Sequence, residues 1–196
     1  MRCAVLVGVG MLMMAACGVA QERPTTGPKG VLSGTMVANK ESYVLDPAQA
    51  GKEFRDKVEQ LRGAGRGGGA NAPMPPGVDL TLKITNTSEK AVRFEVGGDS
   101  SVVRLEVKGP GAVTWERMVP MTREFRMGTP VTLEPGKSHE MKISSLAAGE
   151  RGMTQYSYWT EPGEYTVGAT LRVTMEGEEK PTEMLASSVK VKVMKE

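Results

Sequence analysis

His139 is the only histidine in the chain, and the two cysteines, Cys3 and Cys17, both lie in its first twenty positions. A Ser-His-Asp arrangement would therefore have to use His139 as its base, and no nucleophile in a recognisable elbow accompanies it. His139 stands two residues before Met141 and four before Ile143, so on a strand all three share one face. That placement reads as a half-buried or strand-end histidine. The same stretch, His139-Glu140-Met141, forms a His-x-Met pair whose imidazole and thioether suit soft Cu(I). Met118, Met121 and Met127 add soft sulfur, but a copper site ordinarily takes more histidine than one. The metal reading is none, with His139 and Met141 as its weak candidates. No catalytic residue and no cofactor is assigned, and the chain reads as a protein that is not an enzyme.

Arg123, Phe125 and Arg126 sit in an irregular loop between Pro120 and Pro130. Arginine and aromatic residues are enriched at binding hot spots, and loops carry recognition, so these three are the best candidates for partner contact. The stretch Glu176-Gly177-Glu178-Glu179 has too few oxygen ligands at defined spacing for calcium and reads as a charged turn. Residues 63–69, rich in glycine with one arginine, read as a linker. Lys and Arg nearly balance Asp and Glu, giving a net charge of +2 with the signs interspersed. No basic face emerges, and nucleic acid is excluded as a partner.

The elements that position these residues begin after a leader. Arg2 precedes an apolar run from Cys3 to Ala16, and polar sequence starts at Gln21. That layout predicts a secretory signal over residues 1–20. Two processing sites compete. Small residues at Gly18 and Ala20 fit cleavage before Gln21, while Met14-Ala15-Ala16-Cys17 resembles a bacterial lipobox in which Cys17 is lipidated. The location that follows is periplasmic, extracellular or lipid-anchored, with the membrane reached only through Cys17. Residues 21–30 read as a flexible tether.

Residues 31–196 then read as one domain. Val31 to Met36 and Tyr43 to Leu45 are short strands. Asp46 caps a helix over 47–62 with Pro47 in its first turn, and Ala50, Phe54, Val58 and Leu61 take helical spacing. The Gly- and Pro-rich loop 63–77 carries this helix outside the sheets. Val78, Leu80, Leu82 and Ile84 alternate with polar residues, as do Val92, Phe94 and Val96, then Val103, Leu105 and Val107. Val113 with Trp115, Val131 with Leu133, and Met141 with Ile143 continue the pattern. A loop from Ser144 to Thr154 leads to Tyr156–Trp159. Tyr165, Val167, Ala169, Leu171 and Val173 form the clearest strand, opened by a type II turn at Pro162-Gly163, and Leu185 with Val189, Val191 and Val193 closes the sheet. Turn signals roughly every 8 to 12 residues predict an all-β antiparallel β-sandwich of about seven to eight strands with one inserted helix.

Glu161-Pro162-Gly163-Glu164-Tyr165-Thr166-Val167 resembles the acidic-x-Gly-x-Tyr-x-Cys segment of immunoglobulin-like domains, with Val167 in place of the cysteine. That resemblance implies a corner tyrosine at Tyr165 and no disulfide between sheets. Leu82-Lys83-Ile84-Thr85-Asn86-Thr87-Ser88, Leu133-Glu134-Pro135-Gly136 and Pro162-Gly163-Glu164-Tyr165 together look like the bacterial immunoglobulin-like domains grouped with intracellular proteinase inhibitors. Lys108-Gly109-Pro110-Gly111-Ala112-Val113, Phe125-Arg126-Met127-Gly128 and Tyr158-Trp159-Thr160-Glu161-Pro162-Gly163 are similar to exported proteins of planctomycete-type bacteria. The resemblance implies a fold and an address without a reaction. The expectation is a noncatalytic binding or structural module of the cell envelope with a protein or envelope partner. The alternatives are a proteinase inhibitor presenting the 120–130 loop, and a periplasmic copper-binding protein using His139 and Met141.

Overall fold

The computed structural model describes residues 25–26, 30–63, 73–99, 101–120 and 124–195. Among them the protein is mostly β, with fourteen strands and a single α-helix. The first half holds β1 (Thr25–Thr26), β2 (Leu32–Ala38), β3 (Ser42–Val44), α1 (Gly51–Gly63), β4 (Gly77–Asn86), β5 (Val92–Val96), β6 (Val102–Lys108) and β7 (Val113–Met118). Next come β8 (Thr129–Leu133), β9 (Ser138–Ser145), β10 (Ala147–Glu150), β11 (Met153–Tyr158), β12 (Gly163–Val173), β13 (Thr182–Ser187) and β14 (Val189–Met194).

Period-two alternation sets the burial. In β4, Val78, Leu80, Leu82 and Ile84 are all buried while the residues between them are half-exposed. β12 is the hub. One of its edges pairs with β6 from Thr166 to Arg172, and the other is shared by β14 beside its first half and β13 beside its second. β13 then turns away to pair in parallel with β2, which continues through β4 to β9. On the far side of β6 lie β10, β11 and β7. The main core gathers Leu80, Leu82, Ile84, Val167, Leu171 and Val173 among others, so Val167 fills its position as a buried aliphatic residue.

The strand count exceeds the seven to eight expected, for local reasons. Residues 144–154 are not a loop. The chain crosses at buried Leu146 and makes a hairpin, β10 to β11, that turns at Arg151-Gly152. The run after Thr182 is split by Ser188, which reverses the alternation: Met184 and Ala186 point inward before it, Val191 and Val193 after it. Leu185, expected in the closing strand's core, is consequently 51% exposed.

The helix also starts later than the sequence predicts. Asp46 accepts from the Ala48 amide at 2.9 Å, but it caps only a 3-10 turn, Pro47–Gln49. Ala50 is extended, Gly51 takes φ +80°, and its amide donates to the Thr160 carbonyl at 2.7 Å, so α1 begins afresh. Nor does the helix stand outside the sheets. Phe54 and Val58 are buried with Val113, Trp115 and Tyr158 in a second, smaller core, and the Phe54 and Tyr158 rings meet edge-on at 5.2 Å. The linker residues 64–72 lie outside those described.

At the opening of β12, Gly163 takes φ +156°, beyond the φ of about +80° at the third position of a type II turn. The expected type II turn is absent because Gly163 already begins the strand. The Tyr165 hydroxyl bonds back to the chain as the resemblance implied, lying 2.8 Å from the Glu161 carbonyl and against that of Pro110. Trp159 packs between Tyr165 and Tyr43, with ring centroids 5.8 and 5.2 Å away.

Candidate functional site

The hairpin turn between β10 and β11, the end of β7 and the segment before β8 come together around two adjoining clefts. One, of about 520 Å³, is lined by Met118, Val119, Pro120, Glu150, Arg151, Gly152 and Met153. The other, of about 360 Å³, shares several of these residues and adds Asp99, Glu124 and Arg126. A cleft of about 550 Å³ along α1 carries Glu53, Asp56 and Lys57, and one of about 150 Å³ carries Arg93, Glu95 and Glu176, against Asp99, Glu124, Arg126, Glu150 and Arg151 around the second candidate cleft.

Asp99 organises the first half of the site. Its side chain is only 2% exposed, accepts from the Arg126 amide at 3.0 Å and from Arg126 Nε at 3.3 Å, and lies 3.6 Å from Arg151 Nε. The Asp99 amide in turn donates to the Arg126 carbonyl at 2.8 Å. The amide bond from Arg126, reinforced by the charges of Arg126 and Arg151, holds the Asp99 carboxyl below its usual range. Gly98, just after β5, permits this approach: it takes φ +67°, and a Cβ there would fall 2.6 Å from the Arg126 carbonyl oxygen.

Glu150 organises the second half. It receives Arg104 and Arg172 at 2.6 Å each, one on either carboxylate oxygen. Burial works against its charge, yet the two guanidiniums outweigh burial and leave its pKa lowered. β6 and β12 supply these arginines from adjacent strands, where Thr170 opposes Arg104. The result is a floor of neutralised charge beside a rim of exposed apolar groups, with Met118 55% and Phe125 53% exposed.

Two of the three expected contact residues reach this rim. Phe125 lies under the Arg151 guanidinium, 5.9 Å from ring centroid to cation, and Arg126 projects from the segment that Asp99 holds. Arg123 and the candidate lipidation site Cys17 lie outside the described residues. His139 and Met141 share one face of β9, opposite Ile84 and Leu82, and are half-buried. Among the described residues, no group of three His, Cys, Asp or Glu side chains is gathered that could hold a metal. Also among them, no helix is long and apolar enough to cross a membrane. The 176–179 turn is a charged tip, with Arg93 bonded to Glu176 at 3.0 Å.

Sequence reasoning missed Asp99, Glu150, Arg151, Arg104 and Arg172. Their partnerships join distant parts of the chain, and the only local signal was the Gly97-Gly98-Asp99 stop after β5.

No protein-family model matches the chain, and no curated protein matches it. Among solved structures, a β-glucosidase from Erythrobacter marinus aligns with 83% of this chain at 14% identity and a TM-score of 0.32. The chain spans 15% of that structure's length, and a likeness at this level carries no argument about fold or activity.

Proposed function

We propose that this protein is a noncatalytic binding module of the cell envelope, an exported immunoglobulin-like antiparallel β-sandwich that engages a protein partner through residues 124–127 and the adjoining clefts. The observation that carries this reading is the clamp on Asp99. Phe125 and Arg126 are exposed, as a recognition surface requires, while the backbone beneath them is tied through two hydrogen bonds to a single aspartate, which also accepts from Arg126 Nε. Ordering such a loop before contact lowers the entropy cost of association.

Several pairings support the immunoglobulin-like reading: β2 with β4 and β9 on one side, β6 with β12 and β14 on the other, and the parallel contact of β2 with β13. The Tyr165 hydroxyl bond four residues back to Glu161 agrees with it. The leader and Cys17 support export, and the intact mass of the mature protein distinguishes cleavage before Gln21 from lipidation at Cys17.

Cross-linking in whole cells, followed by partner recovery, tests the binding surface. Phe125→Ala with Arg126→Ala is expected to abolish recovery of a partner that the unaltered protein captures. If every captured partner is retained by the double variant, the surface is wrong.

A second reading, a proteinase inhibitor, draws on the same exposure. Residues 124–127 are open to solvent, and the Arg126 side chain is 75% exposed, as an arginine offered to a trypsin-like pocket would be. Failure of the purified protein to inhibit any secreted serine or metallo proteinase removes this reading and leaves the first intact.

A further inference from the structure

We infer that the free edge of β9 is a homodimer interface, in which two copies pair their Ser138–Ser145 strands antiparallel about a two-fold axis through Met141. β9 ends the path of sheet pairing. It bonds to β4 along one edge and has no strand on the other among the described residues. The remaining edges are short or covered. β3 has three residues, and β8 carries Pro130. β5 is covered by residues 174–176: Met175 bridges Phe94, the Glu95 amide donates to the Thr174 carbonyl and the Glu176 amide donates to the Arg93 carbonyl; β7 lies against α1, whose Arg62 donates to the Thr114 carbonyl at 3.3 Å. β9 runs for eight residues with no proline and none of these covers.

Its side chains show the same incompleteness. Leu80, Leu82 and Ile84 on neighbouring β4 are fully buried, whereas His139, Met141 and Ile143 opposite them are only half-buried. A cleft of about 260 Å³ runs beside Met141 and Ile143 towards Val103, Leu105 and Ala148, giving a partner's side chains room. A strand added to β9 would satisfy its outer backbone groups and cover this face.

Charge selects a second copy as the occupant, and fixes the register. Residues directly opposed across antiparallel strands must share a face, so a self-pairing that keeps the half-buried faces together is centred on a residue. Centring on Glu140 sets that carboxylate against its own copy, and centring on Lys142 does the same to the ammonium. Centring on Met141 instead opposes Glu140 to Lys142 twice, Met141 to itself and His139 to Ile143. Both charged residues point to the exposed face, where an opposed pair is attractive and a like pair repulsive. An edge this short falls at the small end of specific interfaces, so a dissociation constant in the micromolar range is expected.

Sedimentation velocity on the purified full chain tests the interface. The unaltered protein should show a concentration-dependent dimer. Glu140→Lys alone and Lys142→Glu alone should each weaken it about tenfold or more, since two attractive pairs become repulsive. An equimolar mixture of these two variants should form a heterodimer, because each then meets the opposite charge. The inference is overturned if the unaltered protein is monomeric throughout the micromolar range, if either single variant dimerises as tightly as the unaltered protein, or if the mixture stays monomeric.

Discussion

A single hydroxyl joins two turns at the start of β12. Tyr165 is fully buried, and its oxygen sits between the carbonyls of Glu161 and Pro110, which belong to separate connections. Tyr165→Phe keeps the ring against Trp159 and removes this link, so a loss of about 1–2 kcal/mol in urea unfolding is expected. No loss at all would mean that water replaces the hydroxyl. The carboxylates of the candidate site give a pH signature. Asp99 and Glu150 both have native pKa values lowered from reference values of 3.8 and 4.5. They therefore contribute stability that is fully present above that range and is lost as pH falls through their native values. Midpoints of thermal unfolding should drop in this acid window, and Asp99→Asn should flatten the drop. In the alkaline direction, burial raises Tyr158 to about 12. Its stabilising share is complete below pH 10 and fades as pH climbs towards 12, which tyrosinate absorbance will follow.

At the scale of elements, close approach explains a residue that propensity alone would disfavour. Gly34 lies in β2 where that strand meets β13, and a Cβ there would fall 2.9 Å from the Cβ of Ala186. Gly34→Val should separate the parallel pair and cost roughly 1–3 kcal/mol by overpacking, measurable as a lower denaturation midpoint. Strands with strict alternation, β4 and β12 above all, were legible from the sequence because one buried face imposes a period of two whatever the neighbours are. The β10–β11 hairpin was not: Ala147 to Glu150 carry no alternation and are all half-buried, so their strand state follows from pairing with β11 and, at Gly149, with β6. Likewise nothing local marks Ala50 as the break before α1, since the amide that fixes Gly51 donates to a carbonyl more than a hundred positions away. Of the candidate site, Phe125 and Arg126 were legible by residue type. The aspartate that holds them was not, because nothing local announces an ion pair formed only when distant turns converge.

Over the whole molecule, the pairing order closes the chain on itself. β2, near one end of the described residues, lies beside β13, near the other, and β3 lies beside β14. Removing residues 189–196 should therefore expose one half of β12 and the edge of β3 together. Loss of a cooperative unfolding transition is the expected result, read by circular dichroism during heating; a truncated chain that still melts sharply would show that β14 is an accessory. The division of β12 between β13 and β14 has a further consequence for how the protein comes into being. Its central strand gains its second edge only after the last strands have been synthesised, so no early portion can complete the core. A nascent chain that has not yet emerged past β13 and β14 would stay loose, and consolidation would wait until both strands have reached β12.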